Sequence, residues 1–253
     1  MVLRKIGMAF CAVAALSSQA KDVNGEVIFT DTAISVDGKI DTAWENDNWR
    51  GMNHHILGDL PEATDFSGDY KLLWDEQYLY LLARIYDDVL FDSHPNPLEN
   101  YWDDDCLEIF IDADASGGEH QHDFNAFAYH VALDNQVVDL APIGDNYSKP
   151  ALFNSHVTSA WQRSDEPGNP IYWETAIKLY DESYALDGSR DKKSRVRLGA
   201  DQKIGFMLAY CDNDGSNQRE HFMGSTAIKP INNDKNLGYK TADVFDVLTL
   251  VKK

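Results

Sequence analysis

The stretch Trp102–Asp114 constrains the fold of this chain more than any other part of the sequence. Its middle residues alternate between the two faces of an extended segment. One face is purely aliphatic and carries Leu107, Ile109 and Ile111, whereas the other carries Cys106, Glu108 and Phe110. Because β-branched and aromatic residues favour strands, we predict a strand whose aliphatic face lies on a core. Its other face, with a carboxylate beside an aromatic ring, is a candidate ligand platform.

Trp102 stands immediately before this strand and next to three aspartates, Asp103, Asp104 and Asp105. A large ring in acidic, solvent-facing surroundings is not where a core tryptophan usually lies. Trp102 is therefore a candidate for contact with a ligand. The alternative is a rim aromatic that packs on its own loop.

Short extended runs separated by turn signals continue along the whole chain. Tyr70–Asp88 predicts a hairpin, residues 125–141 predict another around Asp134 and Asn135, and Val244–Val251 predicts a final strand. We find no internal repeat and no long amphipathic helix. The sequence therefore predicts an all-β fold, an antiparallel β-sandwich that forms a single domain over residues 21–253.

The charge balance narrows the range of partners. The formal net charge is -20, which argues against binding to nucleic acid or to anionic membrane surfaces, because both would repel the chain. Neutral ligands and divalent cations remain compatible with this charge. No stretch beyond the N-terminal region is apolar enough to insert into a membrane.

The N-terminal residues 1–20 have the pattern of a secretory signal peptide. Arg4 and Lys5 precede the apolar run Met8–Leu16, which is too short to span a bilayer, and Ala20 is a small residue at the expected cleavage site. We therefore expect a secreted or periplasmic protein. The alternative is a short buried N-terminal helix.

Two cysteines, Cys106 and Cys211, remain after this segment, and both fall in predicted strands. Two cysteines in an exported protein suggest a disulfide, but a bridge needs adjacent strands in the right register. A disulfide and a pair of small buried thiols are both compatible with the sequence.

An oxygen-rich turn follows the strand of the first paragraph. Asp112, Asp114 and Ser116 have calcium-loop spacing, and Asp123 occupies the twelfth position of that loop. We therefore expect a structural calcium ion here, with a solvated acidic turn as the alternative. Residues 212–215 form a second, weaker candidate.

Six segments in order carry a family resemblance: VDGKIDTAW, LLWDEQYLYLLARIYDDVL, WDDDCLEIFIDAD, YWETAIKL, IGFMLAYCDND and VFDVLTLV. Together they resemble the family 9 carbohydrate-binding modules over roughly Ile34 to Lys252. The resemblance implies a β-sandwich that binds sugars, with bound calcium, and that is often attached to polysaccharide-degrading enzymes.

The resemblance also implies a sugar site in which a saccharide lies between two aromatic rings. The matching positions are Trp102 and Tyr239 for the rings, with Glu108 and Asn236 as polar contacts. The chain departs from the family because its second ring is Tyr rather than Trp. An arginine that the family has in the strand after the cation loop is replaced near Tyr129 or His130, and a glutamine is replaced by Ala209, so specificity for reducing ends does not carry over.

The residue types suit a sugar independently of the resemblance. A pyranose ring has an apolar face that stacks on an aromatic side chain and hydroxyl edges that bond to Glu, Asn and His, which makes His130 a further candidate. Hydrogen bonds to a carboxylate are the stronger kind. The alternative for Glu108 is an ion pair with a basic neighbour such as Arg84.

Three functions follow from these observations. The first is a secreted, non-catalytic, monomeric carbohydrate-binding protein for mono-, oligo- or polysaccharides, acting in polysaccharide degradation or uptake. The second is a glycoside hydrolase with paired carboxylates across a cleft. The third is a haem-binding electron carrier, because related sandwich domains carry haem, with axial ligands drawn from Met207, Met223 or His130.

Overall fold

The computed structural model of this chain describes residues 23–144 and 146–253. The predicted signal peptide, residues 1–20, lies outside the described residues. Within them the chain is almost entirely strand, with 14 strands, two 3₁₀ segments and one helix of a single turn. None of the described helices has the length and apolar character needed to cross a membrane.

The strands of the first half of the chain are β1 (Val23–Phe29), β2 (Arg50–Gly51), β3 (His54–Gly58), β4 (Phe66–Trp74), β5 (Leu79–Asp87), β6 (Cys106–Asp112) and β7 (Phe127–Ala132). Those of the second half are β8 (Val137–Pro142), β9 (Ser148–Leu152), β10 (Val157–Arg163), β11 (Ile171–Ile177), β12 (Lys203–Asp212), β13 (His221–Gly224) and β14 (Asp246–Val251). The helix α1 is Asp191–Ser194, and the 3₁₀ segments are Thr42–Asn46 and Ala242–Val244.

All the described strands join one mixed sheet. Its main path runs β10-β11-β5-β4-β1-β14-β12-β6-β7-β8-β9, while β13 pairs with β12 and β3, and β2 pairs with β4. The sheet curls on itself, because Phe66 of β4 stacks on Tyr210 of β12 with ring centroids 5.1 Å apart, although β1 and β14 separate these strands in the path. The predicted all-β class is confirmed, and a sandwich describes the curled sheet approximately.

One strand departs from the antiparallel prediction. β1 lies parallel to both of its neighbours, β14 and β4, with Glu26 opposite Thr249 and Ile28 opposite Leu73. The indole N–H of Trp74 donates to the carbonyls of Val27 and Val251 at 3.0 and 3.3 Å. These contacts fasten the two halves of the sheet to each other through β1.

Strand β6 is central to the packing because both of its faces are buried. Its aliphatic face joins the main core cluster, as the alternation predicts. Its other face is not solvent-facing: Cys106 and Phe110 belong to a second cluster with residues of β12 and the segment before β14. Glu108 is thus carried into a largely enclosed setting, where it is only 3% exposed.

Both predicted hairpins are present, as β4–β5 and β7–β8. The segment 33–41 is a loop, in which the Glu174 carboxylate accepts the backbone N–H groups of Asp37 and Gly38, and it also accepts the indole N–H of Trp44. β9 forms at one end of the sheet path. Its Pro150 is tolerated because β9 is the last strand of the path.

Candidate ligand-binding pocket

A pocket of about 350 Å³ opens on the second face of β6. It is lined by Tyr101, Trp102, Glu108, His130, Asp139, Leu140, Arg219, Asn236 and Tyr239. All five residues predicted to bind carbohydrate are in this set. Their positions come from four parts of the chain, which the sheet brings together.

The aromatic side of the pocket is built by the loop that leads into β6. Trp102 is 39% exposed, and its ring meets the buried Tyr101 edge-on, with centroids 4.9 Å apart at an interplanar angle of 78°. Tyr101 in turn contacts the His130 ring edge-on at 4.7 Å. The indole is therefore held in place while much of its surface stays available to a ligand. The alternative, in which Trp102 packs on its own loop, accounts for its edge contact with Tyr101 but not for its exposed surface.

Tyr239 and Asn236 reach the same pocket from the segment before β14. Tyr239 is half-buried and packs against the second core cluster, and the Lys240 amino group lies 4.8 Å from its ring centroid. The backbone N–H of Asn236 donates to Asp234. Its side-chain amide makes no hydrogen bond to another residue of ranges 23–144 and 146–253, so both its donor and its acceptor can face a ligand.

Glu108 is the electrostatic centre of the pocket. Its Oε1 lies 2.8 Å from His130 Nε2 and 3.0 Å from an Arg219 guanidinium nitrogen, and it accepts the Cys211 thiol at 3.1 Å. His130 is directly opposite Glu108 on β7, so the two side chains share one face of the sheet. Because all three contacts use Oε1, and no other described residue donates to Oε2, the second oxygen is left for a ligand.

These charges decide the ionisation of Glu108. Burial works to raise its pKa, but the positive charge of His130 and its hydrogen bond, together with Arg219, outweigh burial and lower the pKa to about 2. The pocket therefore presents a carboxylate at neutral pH. Both ring nitrogens of His130 lie near oxygens, Nε2 near Glu108 Oε1 at 2.8 Å and Nδ1 near the Ala128 carbonyl at 3.1 Å.

Asp139 is a second acid of the pocket that the sequence did not single out. It is 6% exposed and accepts the backbone N–H groups of Ala128 and Leu140 at 2.8 and 2.6 Å. Burial raises its pKa to about 6, which these hydrogen bonds only partly offset. The two pocket acids thus have pKa values shifted in opposite directions.

Arg219 lines the pocket but is not among the residues predicted to bind carbohydrate. It lies in the loop between β12 and β13, and its guanidinium packs 4.1 Å from the Phe222 ring centroid. It, rather than Arg84, is the arginine partner of Glu108; Arg84 pairs with Asp69. In the sequence, acidic residues on both sides of this short loop suggest that its arginine forms an ion pair. The strand register is needed to show which carboxylate it contacts.

The structure explains the other positions at which this chain differs from the family pattern. Ala209 lies directly opposite Glu108 on β12 and is fully buried, so a small residue fits beneath the carboxylate. Tyr129 points into the core instead of the pocket, where its hydroxyl lies 2.7 Å from His156 Nδ1. The basic side chains of this pocket are Arg219 and His130.

Cys106 and Cys211 are opposite each other on β6 and β12, so the register that a disulfide needs is present. In the structure, however, both are free, fully buried thiols. Burial raises the pKa of each. They form the floor beneath Glu108.

The predicted calcium loop folds as a turn that caps itself. Asp112 accepts the backbone N–H groups of Asp114 and Gly117, Asp114 accepts that of Ser116, and Asp123 accepts that of Asn125. Within the described ranges, these aspartates do not come together as a group of three carboxylates around one point. Calcium binding at this loop stays a prediction.

The three proposed haem ligands are not gathered around one cavity. Met207 lies in the second core cluster, whereas Met223 lies in the main core. His130 is held between Glu108 and the Ala128 carbonyl. Met207 and Met223 thus lie in different core clusters.

Comparisons with known proteins agree with this geometry. A family model described as carbohydrate family 9 binding domain-like matches residues 36–253. The chain is 27% identical over 184 residues to the endo-1,4-beta-xylanase A of Thermotoga maritima, a match that covers 73% of this chain but only 14% of the xylanase. It is 36% identical over 77 residues to the enzyme of the same description from Thermoanaerobacterium saccharolyticum, covering 30% of this chain and 6% of that protein.

Two solved structures share the fold. A family 9 carbohydrate-binding module of Caldicellulosiruptor kristjanssonii in complex with cellotriose superposes with a TM-score of 0.63 and 18% identity, over 90% of this chain and 94% of the module. The same description in complex with glucose gives a TM-score of 0.62 and 18% identity, over 90% and 96%.

Proposed function

Because this chain belongs to the carbohydrate family 9 binding domain-like family, we propose that it binds a saccharide in the pocket between Trp102 and Tyr239. One observation carries this proposal. An exposed indole and the free oxygen of an ionised, buried carboxylate face the same pocket of about 350 Å³.

The chemistry of the pocket matches the two surfaces of a pyranose. The apolar C–H face of the ring would stack on Trp102, with Tyr239 as the second aromatic contact. A sugar hydroxyl would donate to Glu108 Oε2, and such charge-assisted bonds are stronger than neutral ones. The Asn236 amide would serve a second hydroxyl with either its donor or its acceptor.

The size of the pocket favours a short ligand. Pockets for small molecules span about 300–1,000 Å³, so this one is at the small end of that range. We therefore assign it to one or two terminal sugar units rather than to the middle of a long chain. Since the matched module structures hold glucose and cellotriose, and the matched enzymes are xylanases, we propose oligosaccharides of β-linked glucose or xylose.

The biological setting is part of the same proposal. We propose a non-catalytic protein that is exported through its N-terminal segment and acts in polysaccharide degradation or uptake. The signal pattern of residues 1–20 and the xylanase relatives support this setting. The match covers only 14% of the Thermotoga maritima enzyme and 6% of the Thermoanaerobacterium saccharolyticum enzyme, so we assign their activity to segments outside the match.

Calorimetry with glucose, cellotriose and xylotriose tests the proposal. We expect saturable binding of at least one sugar to the chain, and loss of at least tenfold in affinity for Trp102→Ala. Tyr147→Ala is the matched control, because Tyr147 is 63% exposed and lies outside the pocket. No heat with any sugar from a folded protein, or equal losses in both variants, would refute the proposed site.

Glycoside hydrolysis is a second candidate, and it rests on the opposed pKa shifts of Glu108 and Asp139 in one pocket. Reducing-sugar release from cello- and xylo-oligosaccharides tests it. Turnover that disappears in both Glu108→Gln and Asp139→Asn would establish hydrolysis. Binding without turnover would leave the first proposal.

A further inference from the structure

The Arg219 side chain has hydrogen-bond donors that the chain itself does not use. Its Nη1 donates to Glu108 Oε1 and to Cys211 Sγ, each at 3.0 Å. Within residues 23–144 and 146–253, the Nε and Nη2 groups of this side chain have no acceptor. A guanidinium carries five N–H donors and no acceptor, so the unused ones can bond only to an oxygen or another acceptor from outside the chain.

These unused donors belong to a side chain that is largely removed from bulk water. Only 8% of the Arg219 side chain is exposed, and its guanidinium packs over the Phe222 ring with the centroid 4.1 Å away. Leaving the donors of a buried cation unpaired is unfavourable. Because Arg219 is one of the residues that line the sugar pocket, the pocket is where these donors can meet a partner.

The unused donors also have a definite geometry. Nε and Nη2 form one edge of the planar guanidinium, on which two N–H bonds point in the same direction. This edge matches the two oxygens of a carboxylate, with which arginine forms bidentate pairs. A sugar hydroxyl offers one neutral oxygen and would occupy only half of the edge. The free edge of Arg219 therefore suits a carboxylate better than a hydroxyl.

The charge around Glu108 also favours an anion. The positive charges of His130 and Arg219 both contact this one carboxylate, so the three side chains together carry one positive charge in excess. In the described part of the chain, Asp139 accepts the backbone N–H groups of Ala128 and Leu140 and forms an ion pair with neither base. A ligand carboxylate on Arg219 would bring the group of three to zero net charge.

The acidic character of the whole chain does not oppose such a ligand. The formal net charge is -20, but charges farther apart than about 10 Å are largely screened at 0.1 M salt. Nucleic acid and anionic membranes present many charges over a wide surface. A single carboxylate on a sugar meets mainly the groups that line the pocket.

We propose that the pocket binds an acidic sugar unit, a uronic acid, whose carboxylate pairs with the Nε–Nη2 edge of Arg219. This inference rests on the proposed function and narrows its substrate class. The sugar ring would still stack on Trp102, and one of its hydroxyls would still donate to Glu108 Oε2. The ligand is then an oligosaccharide of β-linked glucose or xylose that carries a uronic acid unit.

Calorimetry with D-xylose, D-glucose and D-glucuronate on the unchanged chain tests this proposal. These three pyranoses differ only in the group on C5, which is a hydrogen, a hydroxymethyl group or a carboxylate. We expect affinity for glucuronate to be higher than for glucose or xylose by about tenfold or more, because a charge-assisted pair replaces a neutral contact.

The comparison separates this inference from the proposed function. If glucuronate binds no tighter than glucose, the inference is overturned, whereas the sugar site stands as long as glucose, cellotriose or xylotriose binds. If no sugar binds to the folded chain, the sugar site and the inference both fail.

Variants of Arg219 test whether this side chain is the group that binds the carboxylate. Arg219→Gln removes the charge and the planar edge, so the affinities for glucuronate and glucose should become equal. Arg219→Lys should retain part of the preference, because Lys restores the charge without the edge. Arg197→Gln is the matched control: it removes an arginine whose side chain is 78% exposed, and the preference should persist.

The ratio of the two affinities is the decisive readout. Partial loss of stability in Arg219→Gln would lower both affinities together and leave their ratio unchanged. A preference for glucuronate that survives in Arg219→Gln would overturn the proposal, because the carboxylate would then be bound by another group.

Discussion

Glu108 is the residue on which the sugar pocket depends most, because it is both a proposed ligand contact and a buried ion-pair partner. Glu108→Gln keeps the shape of the side chain but leaves His130 and Arg219 without their counter-charge. We expect at least a tenfold loss of sugar affinity and a loss of about 3 kcal/mol in the free energy of unfolding. Urea denaturation measures the second effect.

The matched control for this substitution is Asp69→Asn, which breaks the more exposed pair with Arg84. An exposed pair contributes less than about 1 kcal/mol. Equal destabilisation by the two substitutions would contradict the central role given to Glu108.

The lowered pKa of Glu108 gives a pH dependence with a definite sign. The folded pKa of about 2 lies below the ordinary value of 4.5, so the folded state binds fewer protons than the unfolded state in this window. The stability that Glu108 contributes is fully present above pH about 4.5 and is lost as the pH falls towards 2. The difference in unfolding free energy between the unchanged chain and Glu108→Gln should shrink over that window. A constant difference from pH 6 to 3 would show that the carboxylate is not stabilised as described.

The buried cysteines make a prediction about reactivity. With raised pKa values and no exposure, Cys106 and Cys211 should not react with a thiol reagent in the folded chain, and both should react in urea. In a chain that begins at residue 21 and so lacks Cys11, two equivalents of reactive thiol that appear only on unfolding would match free cysteines. None released without a reductant would mean that the two form the cross-strand disulfide that their register allows.

At the scale of elements, the hairpin of β12 and β13 determines the charge of the pocket by carrying Arg219 to Glu108. Arg219→Ala removes this partner and should lower sugar affinity several-fold, with partial recovery in Arg219→Lys, because Lys restores the charge without the planar guanidinium. Arg197→Ala, with a side chain 78% exposed, serves as the control. Calorimetry with the best sugar measures all three, and an unchanged affinity in Arg219→Ala would exclude an electrostatic role for the hairpin.

The elements also show what the sequence could predict. β6 and the β4–β5 hairpin were predictable because strict alternation and strong turn residues specify them locally. β13 was not, since its four residues form a strand only by pairing with β12 and β3. Trp102 and Glu108 could likewise be predicted as site residues from their own segment, and Tyr239 from the family pattern. The pairing of Arg219 with Glu108 joins residues 111 positions apart, so it could be found only from the register of the strands.

At the scale of the molecule, Trp74 tests the connection between the two halves of the sheet. Trp74→Phe keeps a buried aromatic ring but removes the N–H that reaches the carbonyls of Val27 and Val251. Unsatisfied buried acceptors cost about 1–3 kcal/mol, so we expect a loss of that size in unfolding free energy with sugar affinity retained. A change below about 0.5 kcal/mol would mean that β1 is held by its strand pairing alone.

The parallel pairing of β1 has a consequence for biosynthesis. Of the described strands, β1 is synthesised first and β14 last, yet each hydrogen-bonds to the other, and within residues 23–144 and 146–253 β1 alone pairs with both β4 and β14. The sheet therefore cannot close until translation has passed β14, and contacts so distant along the chain form slowly. For an exported chain, as proposed above, the two halves of the sheet therefore stay unjoined through most of synthesis.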